Sequence, residues 1–167
     1  MRLLARVTAS LAAREPRPRL PLESSAEVLL GWRVWQVVDT RHGPALASWS
    51  AATLWPTRRE LGSGCFVLGT RPAVHHMCGI HAFAELEDAL TYARTTRDRP
   101  VPFTRRTLAM AVGQVSCWGH TVRHTRGWRS QFAYPYDLYL PSGDRALARS
   151  LADRYVVDVT AAPPGAA

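Results

Sequence analysis

Gly31-Trp32-Arg33-Val34-Trp35-Gln36-Val37-Val38 holds two tryptophans and three valines in eight residues. Branched and aromatic side chains pack well on a pleated surface and lose rotamer freedom in a helix, so this stretch predicts a β-strand. Asp39 to Pro44 carries turn chemistry, and Ala45 to Trp49 reads as the returning strand of a hairpin. A longer hairpin is expected downstream, from Leu108 to His124, through Thr125-Arg126-Gly127, and back along Trp128 to Tyr134. On its return strand Trp128, Phe132 and Tyr134 share one face while Arg129 and Gln131 take the other, the alternation of a half-buried strand. Pro135 has no N–H for a ladder and ends the strand or places it at an edge, after which Asp137 to Leu140 can resume. Gly-Trp-Arg occurs at 31–33 and again at 127–129, but the flanking residues differ, so no internal repeat is inferred.

Two segments change period from two to 3.6. Glu85 to Arg97 sets Leu86, Ala89, Leu90 and Ala93 on one helical face, with acids in its first turn and Arg94 and Arg97 in its last, the order that complements the helix dipole. A second helix is expected from Gly143 to Arg154, capped by Ser142 and burying Leu147, Leu151 and Tyr155, with a last strand at Val156 to Val159. The expectation is an α+β domain, mainly antiparallel sheet built from two hairpins, with two helices and a Cys/His-rich connecting loop. Its bounds are read as residues 25–160, between a basic, Pro-containing tail at 1–24 and a small-residue tail at 161–167.

The whole chain has 167 residues, a size that suits one domain and excludes a two-domain dehydrogenase or a TIM barrel. Its net charge of +8 comes from 21 basic and 13 acidic residues, every base an arginine, with no lysine or asparagine and Ile80 the sole isoleucine. That bias has the signature of GC-rich coding. Five arginines and one glutamate fall in residues 1–20, so half of the excess charge belongs to the expected tail and the domain itself is only mildly basic. There is no apolar run of the length a membrane helix needs, and the apolar residues of Met1 to Ala13 are too interrupted for a secretory leader. With three cysteines and no leader, a disulfide framework is not expected and a cytoplasmic location is.

The chemistry-bearing residues lie between the hairpins. Cys65 follows Gly62-Ser63-Gly64, and His75-His76-Met77-Cys78-Gly79-Ile80-His81 follows ten residues later. The i,i+3 spacing of His75 and Cys78 lets a tight turn aim both side chains at one ion, with Gly79 relieving the backbone and Cys65 supplying a further thiolate. Zinc is the metal this donor set suits. The fourth ligand stays open among His76, His81, Cys117 and His42. Each residue also has a plain structural reading, and Cys117 beside Trp118 reads as a small buried hydrophobe.

The block order Trp32-Arg33-Val34-Trp35, Leu54-Trp55-Pro56, Cys65, Cys78-Gly79-Ile80-His81-Ala82-Phe83, Trp118-Gly119-His120, Gly127-Trp128-Arg129, Ala133-Tyr134-Pro135 resembles a family of small, uncharacterised actinobacterial proteins. The resemblance covers about residues 30 to 159. It implies an ordered domain from near Glu27 and a Cys-x-Cys-Gly motif where this chain has His76-Met77-Cys78-Gly79, matched upstream by Cys65. On that basis His76, rather than His75, stands where the family has a cysteine. The resemblance implies no activity.

Three classes of function follow. The first is a binding or regulatory module with a protein partner, its Cys/His loop held by zinc and its interface anchored by Trp49, Trp55, Arg58 and Arg59. The second is an enzyme with Cys78 or Cys65 as nucleophile and His76 or His81 as base. No HExxH helix, phosphate loop or nucleophile elbow accompanies that pair, and Gly62-Ser63-Gly64-Cys65 lacks the strand-to-helix context of an elbow. The third is nucleic-acid binding through Arg58-Arg59, Arg94, Arg97, Arg99, Arg105-Arg106 and the Arg123 to Arg129 hairpin tip.

Overall fold

The structure is a computed structural model that describes residues 22–49, 53–64, 72, 77–96 and 105–161, with residues 22–26 described by backbone alone. The expected tails lie mostly outside these residues, and the described chain opens directly in a strand. Eight strands and two helices follow in the order β1 (Leu22–Val38), β2 (Ala45–Ser48), β3 (Leu61–Gly62), β4 (Ile80–Phe83), α1 (Leu86–Thr96), β5 (Thr107–His124), β6 (Gly127–Pro135), β7 (Asp137–Tyr139), α2 (Arg145–Tyr155) and β8 (Asp158–Thr160).

The α+β class and the dominance of antiparallel pairing are as expected, and both hairpins are present. They are parts of one eight-stranded sheet rather than the whole of the β-structure. Its spine is the long pairing of β1 with β5, antiparallel from Leu22↔Val122 to Val38↔Thr107, which no local turn joins. β6 pairs with β5 on one side and with β4 and β3 on the other. Because β4 also meets β1 at Trp32↔Phe83, the pairings β1–β5, β5–β6, β6–β4 and β4–β1 close into a ring. Among the described strands only β8 pairs in parallel, against β7.

β1 explains why Val34 to Val38 is continuously buried instead of alternating. Trp35 and Val37 face the main core, with Leu46, Trp55, Leu138, Leu147, Leu151 and Tyr155. Val34 faces a second cluster formed with Ala89, Ala93 and Val112 under α1. A strand covered on both faces needs apolar side chains at consecutive positions. Trp35 and Trp55 meet edge to face with centroids 5.4 Å apart, a favoured arrangement for ring quadrupoles. The Tyr155 hydroxyl fastens α2 to this core, accepting from Leu46 N at 2.9 Å and donating to Trp55 O at 3.1 Å.

Three local expectations are corrected. Asp144, not Ser142, caps α2, accepting from Leu147 N at 2.9 Å, while the Ser142 hydroxyl accepts from Asp144 N one turn earlier. A carboxylate is the stronger acceptor for the free N–H groups and positive end of the helix. Arg129 does not share an exposed polar face with Gln131; it is only 1% exposed, its guanidinium bonded to the Cys78 carbonyl and to His124 and its Cβ lying against the turn at Gly79. Trp55 is 2% exposed and belongs to the core, so it cannot anchor an interface with Trp49.

Candidate functional site

Along the outer edge of β1, β2 is paired from Trp35 to Val38 and β4 is paired at Trp32. Arg33 and Val34 lie between, where β2 and β4 diverge. A cavity of about 500 Å³ fills that split. Ser48, Trp49 and Thr53 form its β2 side, Ile80, His81 and Phe83 its β4 side, and Tyr92 of α1 and Leu61 to Gly64 complete it. The volume lies within the roughly 300–1,000 Å³ typical of small-ligand sites.

Arg33 is the central charge. Its Nη1 donates to the His81 carbonyl and its Nη2 to Ser48 Oγ at 3.2 Å, and the guanidinium sits 5.2 Å above the Trp55 ring. Its Nε is buried without a hydrogen-bond partner, and among the described residues no carboxylate forms an ion pair with it. Desolvation lowers its pKa to about 10, so it stays charged at neutral pH. Ser48 Oγ accepts from both Arg33 and Trp55 Nε1, the latter at 3.0 Å.

A fully buried arginine, Arg129, supports the site from behind β4. Its Nη1 donates to the Cys78 carbonyl at 2.8 Å and its Nε to His124 Nε2 at 2.8 Å. The two Gly-Trp-Arg triplets therefore lie on opposite edges of β4, Gly31-Trp32-Arg33 in β1 and Gly127-Trp128-Arg129 in β6. Each arginine holds a carbonyl of the segment from Cys78 to His81. Gly79 has the conformation expected of it, with φ of +110°, and a Cβ there would lie 2.9 Å from Pro72 Cβ and 3.0 Å from Arg129 Cβ. Only glycine fits that turn without strain.

His81 lines the cavity, and its Nε2 lies 3.1 Å from the Met77 carbonyl. A bond to a carbonyl puts the proton on Nε2 and leaves the Nδ1 lone pair free in the neutral ring. His81 is an exposed residue, yet partial desolvation of its ring lowers the pKa, and the charges of Arg33 and Arg129 lower it further against the Met77 bond. Ser63 is buried and its N–H donates to Gln131 O at 2.7 Å, which makes Gly62-Ser63-Gly64 an extension of β3 rather than a nucleophile turn.

Of the four expected metal ligands, Cys65, His75 and His76 lie outside the described residues. Cys78 is half-buried and free of a disulfide. Among the described residues no three of His, Cys, Asp and Glu converge as a metal set would. Cys117 is fully buried beside Ser130 and Trp128, and desolvation raises its pKa, which fits the small-hydrophobe reading and not a nucleophile or thiolate ligand. The arginines expected to form a nucleic-acid patch are divided. Arg126 pairs with Asp88, Arg94 pairs with Glu87, Arg129 is interior, and Arg97 and Arg99 lie outside the described residues.

Arg33, Ser48, Phe83 and Tyr92 were not singled out as site residues by sequence reasoning. The available signal was Arg33 itself, a charge inside a strand otherwise made for burial. The chain matches no known family model, no curated protein and no solved structure.

Proposed function

We propose that this domain is a binding module whose ligand occupies the cleft between β2 and β4. The observation that supports it is the convergence of a desolvated arginine, two serines and an aromatic wall on one 500 Å³ cavity in the sheet's own edge. A thermal-shift and calorimetric fragment screen tests it. Compounds should bind the wild type and lose affinity in Leu61→Trp, which enlarges a side chain of the cavity lining, with the variant's folding checked by its own melting. Ligand at a hundred times its Kd stabilises by about 2.7 kcal/mol, a shift easily read. Fragments that bind both proteins equally would place the site elsewhere.

A protein partner is the second reading, supported by a different face. Val28, Arg58, Arg59, Trp118, Tyr134 and Val156 border an open groove of about 680 Å³, and Val28 and Val156 are exposed apolar residues there. In the same proposal the module is cytoplasmic, and zinc joins Cys65, His75 or His76, and Cys78 in the segment that leaves the cleft lining at Gly64 and returns at Met77. Free, half-buried Cys78 supports that ligand set. Metal analysis of untagged protein is its test: stoichiometric zinc is expected, and no zinc with EDTA-insensitive melting removes it. Among the described residues no helix is long and apolar enough to cross a membrane.

A further inference from the structure

We propose that the cleft takes an organic monoanion, a carboxylate on an apolar body, with the carboxylate against the Arg33 guanidinium and the Ser48 hydroxyl. This rests on the cleft's being the ligand site and specifies what it selects.

Arg33 carries the assignment because, among the described residues, no carboxylate answers its charge. Its two bonded donors meet a neutral carbonyl and a neutral hydroxyl, and Trp55 offers only a ring face. Holding a cation away from water without an anion is costly, and the cost is offset when a ligand brings the missing charge. Desolvation strengthens that later pairing for the same reason. A half-buried guanidinium whose Nε is shut off from water, and whose described neighbours are neutral, is therefore built to meet an anion arriving through the cavity it lines.

Ser48 adds direction. A hydroxyl has two acceptor lone pairs and one proton to donate. Both acceptor positions of Ser48 Oγ are taken, by Arg33 Nη2 and Trp55 Nε1, and Ser48 borders the cavity. Among the described residues nothing accepts its proton, and a carboxylate oxygen beside Arg33 is placed to do so. Arg33, Ser48 and Trp55 thus hold one another in place before a ligand arrives, which lowers the ordering cost of binding.

The rest of the lining sets the class. Val34, Trp49, Leu61, Ile80, Phe83 and Tyr92 present an apolar wall, and among the described residues Arg33 is the one arginine of the lining. A phosphoryl group near two negative charges, with three acceptor oxygens, calls for more cationic donors than this. One charge, one hydroxyl donor and an aromatic enclosure match one carboxylate on a hydrocarbon or aryl body.

The test titrates the full chain at neutral pH with hexanoate and 3-phenylpropanoate, with their neutral amides, and with phenyl phosphate, read by calorimetry and indole fluorescence. The carboxylates should bind roughly tenfold or more tightly than the amides, the scale of one charge-assisted hydrogen bond. Arg33→Gln should abolish that preference, Arg33→Lys should keep part of it, and Ser48→Ala should weaken the carboxylate alone. The comparison within the wild type needs no variant to fold. Amides binding as well as carboxylates overturn the anion assignment and leave the cleft reading standing. Tighter binding of phenyl phosphate overturns the monoanion class. Failure of every carboxylate and amide at millimolar concentration overturns both readings.

Discussion

His81 shows how much one residue's behaviour depends on neighbours distant in sequence. Alone it is a histidine of pKa 6.5; in the fold, although the residue stays exposed, partial desolvation of its ring and then the charges of Arg33 and Arg129 lower that value. Between the folded value and 6.5 the unfolded chain binds a proton that the folded chain refuses, so stability rises with pH through this window. The contribution is complete above 6.5 and is lost as pH falls toward the folded value. His81→Gln should therefore cost less stability, or even gain it, as the pH drops from neutral to mildly acidic. Urea melts of both proteins at the two pH values check this, and parallel losses would show that His81 does not titrate as placed. The same residue scale limits what was legible: Gly79 was read correctly because a positive φ leaves a mark on residue choice, whereas Trp55 was misplaced because a tryptophan in a loop looks the same buried or exposed.

Helix α2 carries a good cap and a poor one. At its start Asp144 accepts from Leu147 N, and Asp144→Ala should lower stability by about 1 kcal/mol. At its end Val156 takes the left-handed conformation, φ 55° and ψ 50°, although it is β-branched and 69% exposed. Removing that strain with Val156→Gly should raise stability by about 1 kcal/mol. Equilibrium denaturation of the two variants should give shifts of opposite sign, and a destabilised Val156→Gly would contradict the strain. Helices were the most legible elements, since Leu86, Ala89, Leu90 and Ala93, and Leu147, Leu151 and Tyr155, are set by local period and all lie on the packed faces. Their caps were less so, because Ser142 and Asp144 both have cap chemistry and only the backbone path chooses between them.

At the scale of the molecule, the ring of strands closes through one narrow contact. A Cβ on Gly31 would lie 2.7 Å from Trp128 Cζ2, 2.9 Å from Ala82 Cβ and 3.0 Å from the Phe83 carbonyl. Gly31→Ala should therefore push β4 off β1, at about 1–3 kcal/mol of overpacking, and weaken binding in the cleft that β4 walls. Denaturation together with a probe titration checks both effects, and a variant with unchanged stability would mean that β4 is not held against β1 at Gly31. By themselves the residues determined the strands at 31–38 and 128–134, both hairpins, both helices and the burial of Cys117, because each depends on side-chain shape and local period. The β1–β5 pairing, the closure of the ring, and the placing of the two Gly-Trp-Arg triplets on either side of β4 depend on contacts between segments more than 40 residues apart, which no local pattern encodes. The cleft belongs to that second set: it exists because β2 and β4 share an edge of β1 without meeting, and Arg33 becomes a binding residue only once that gap surrounds it.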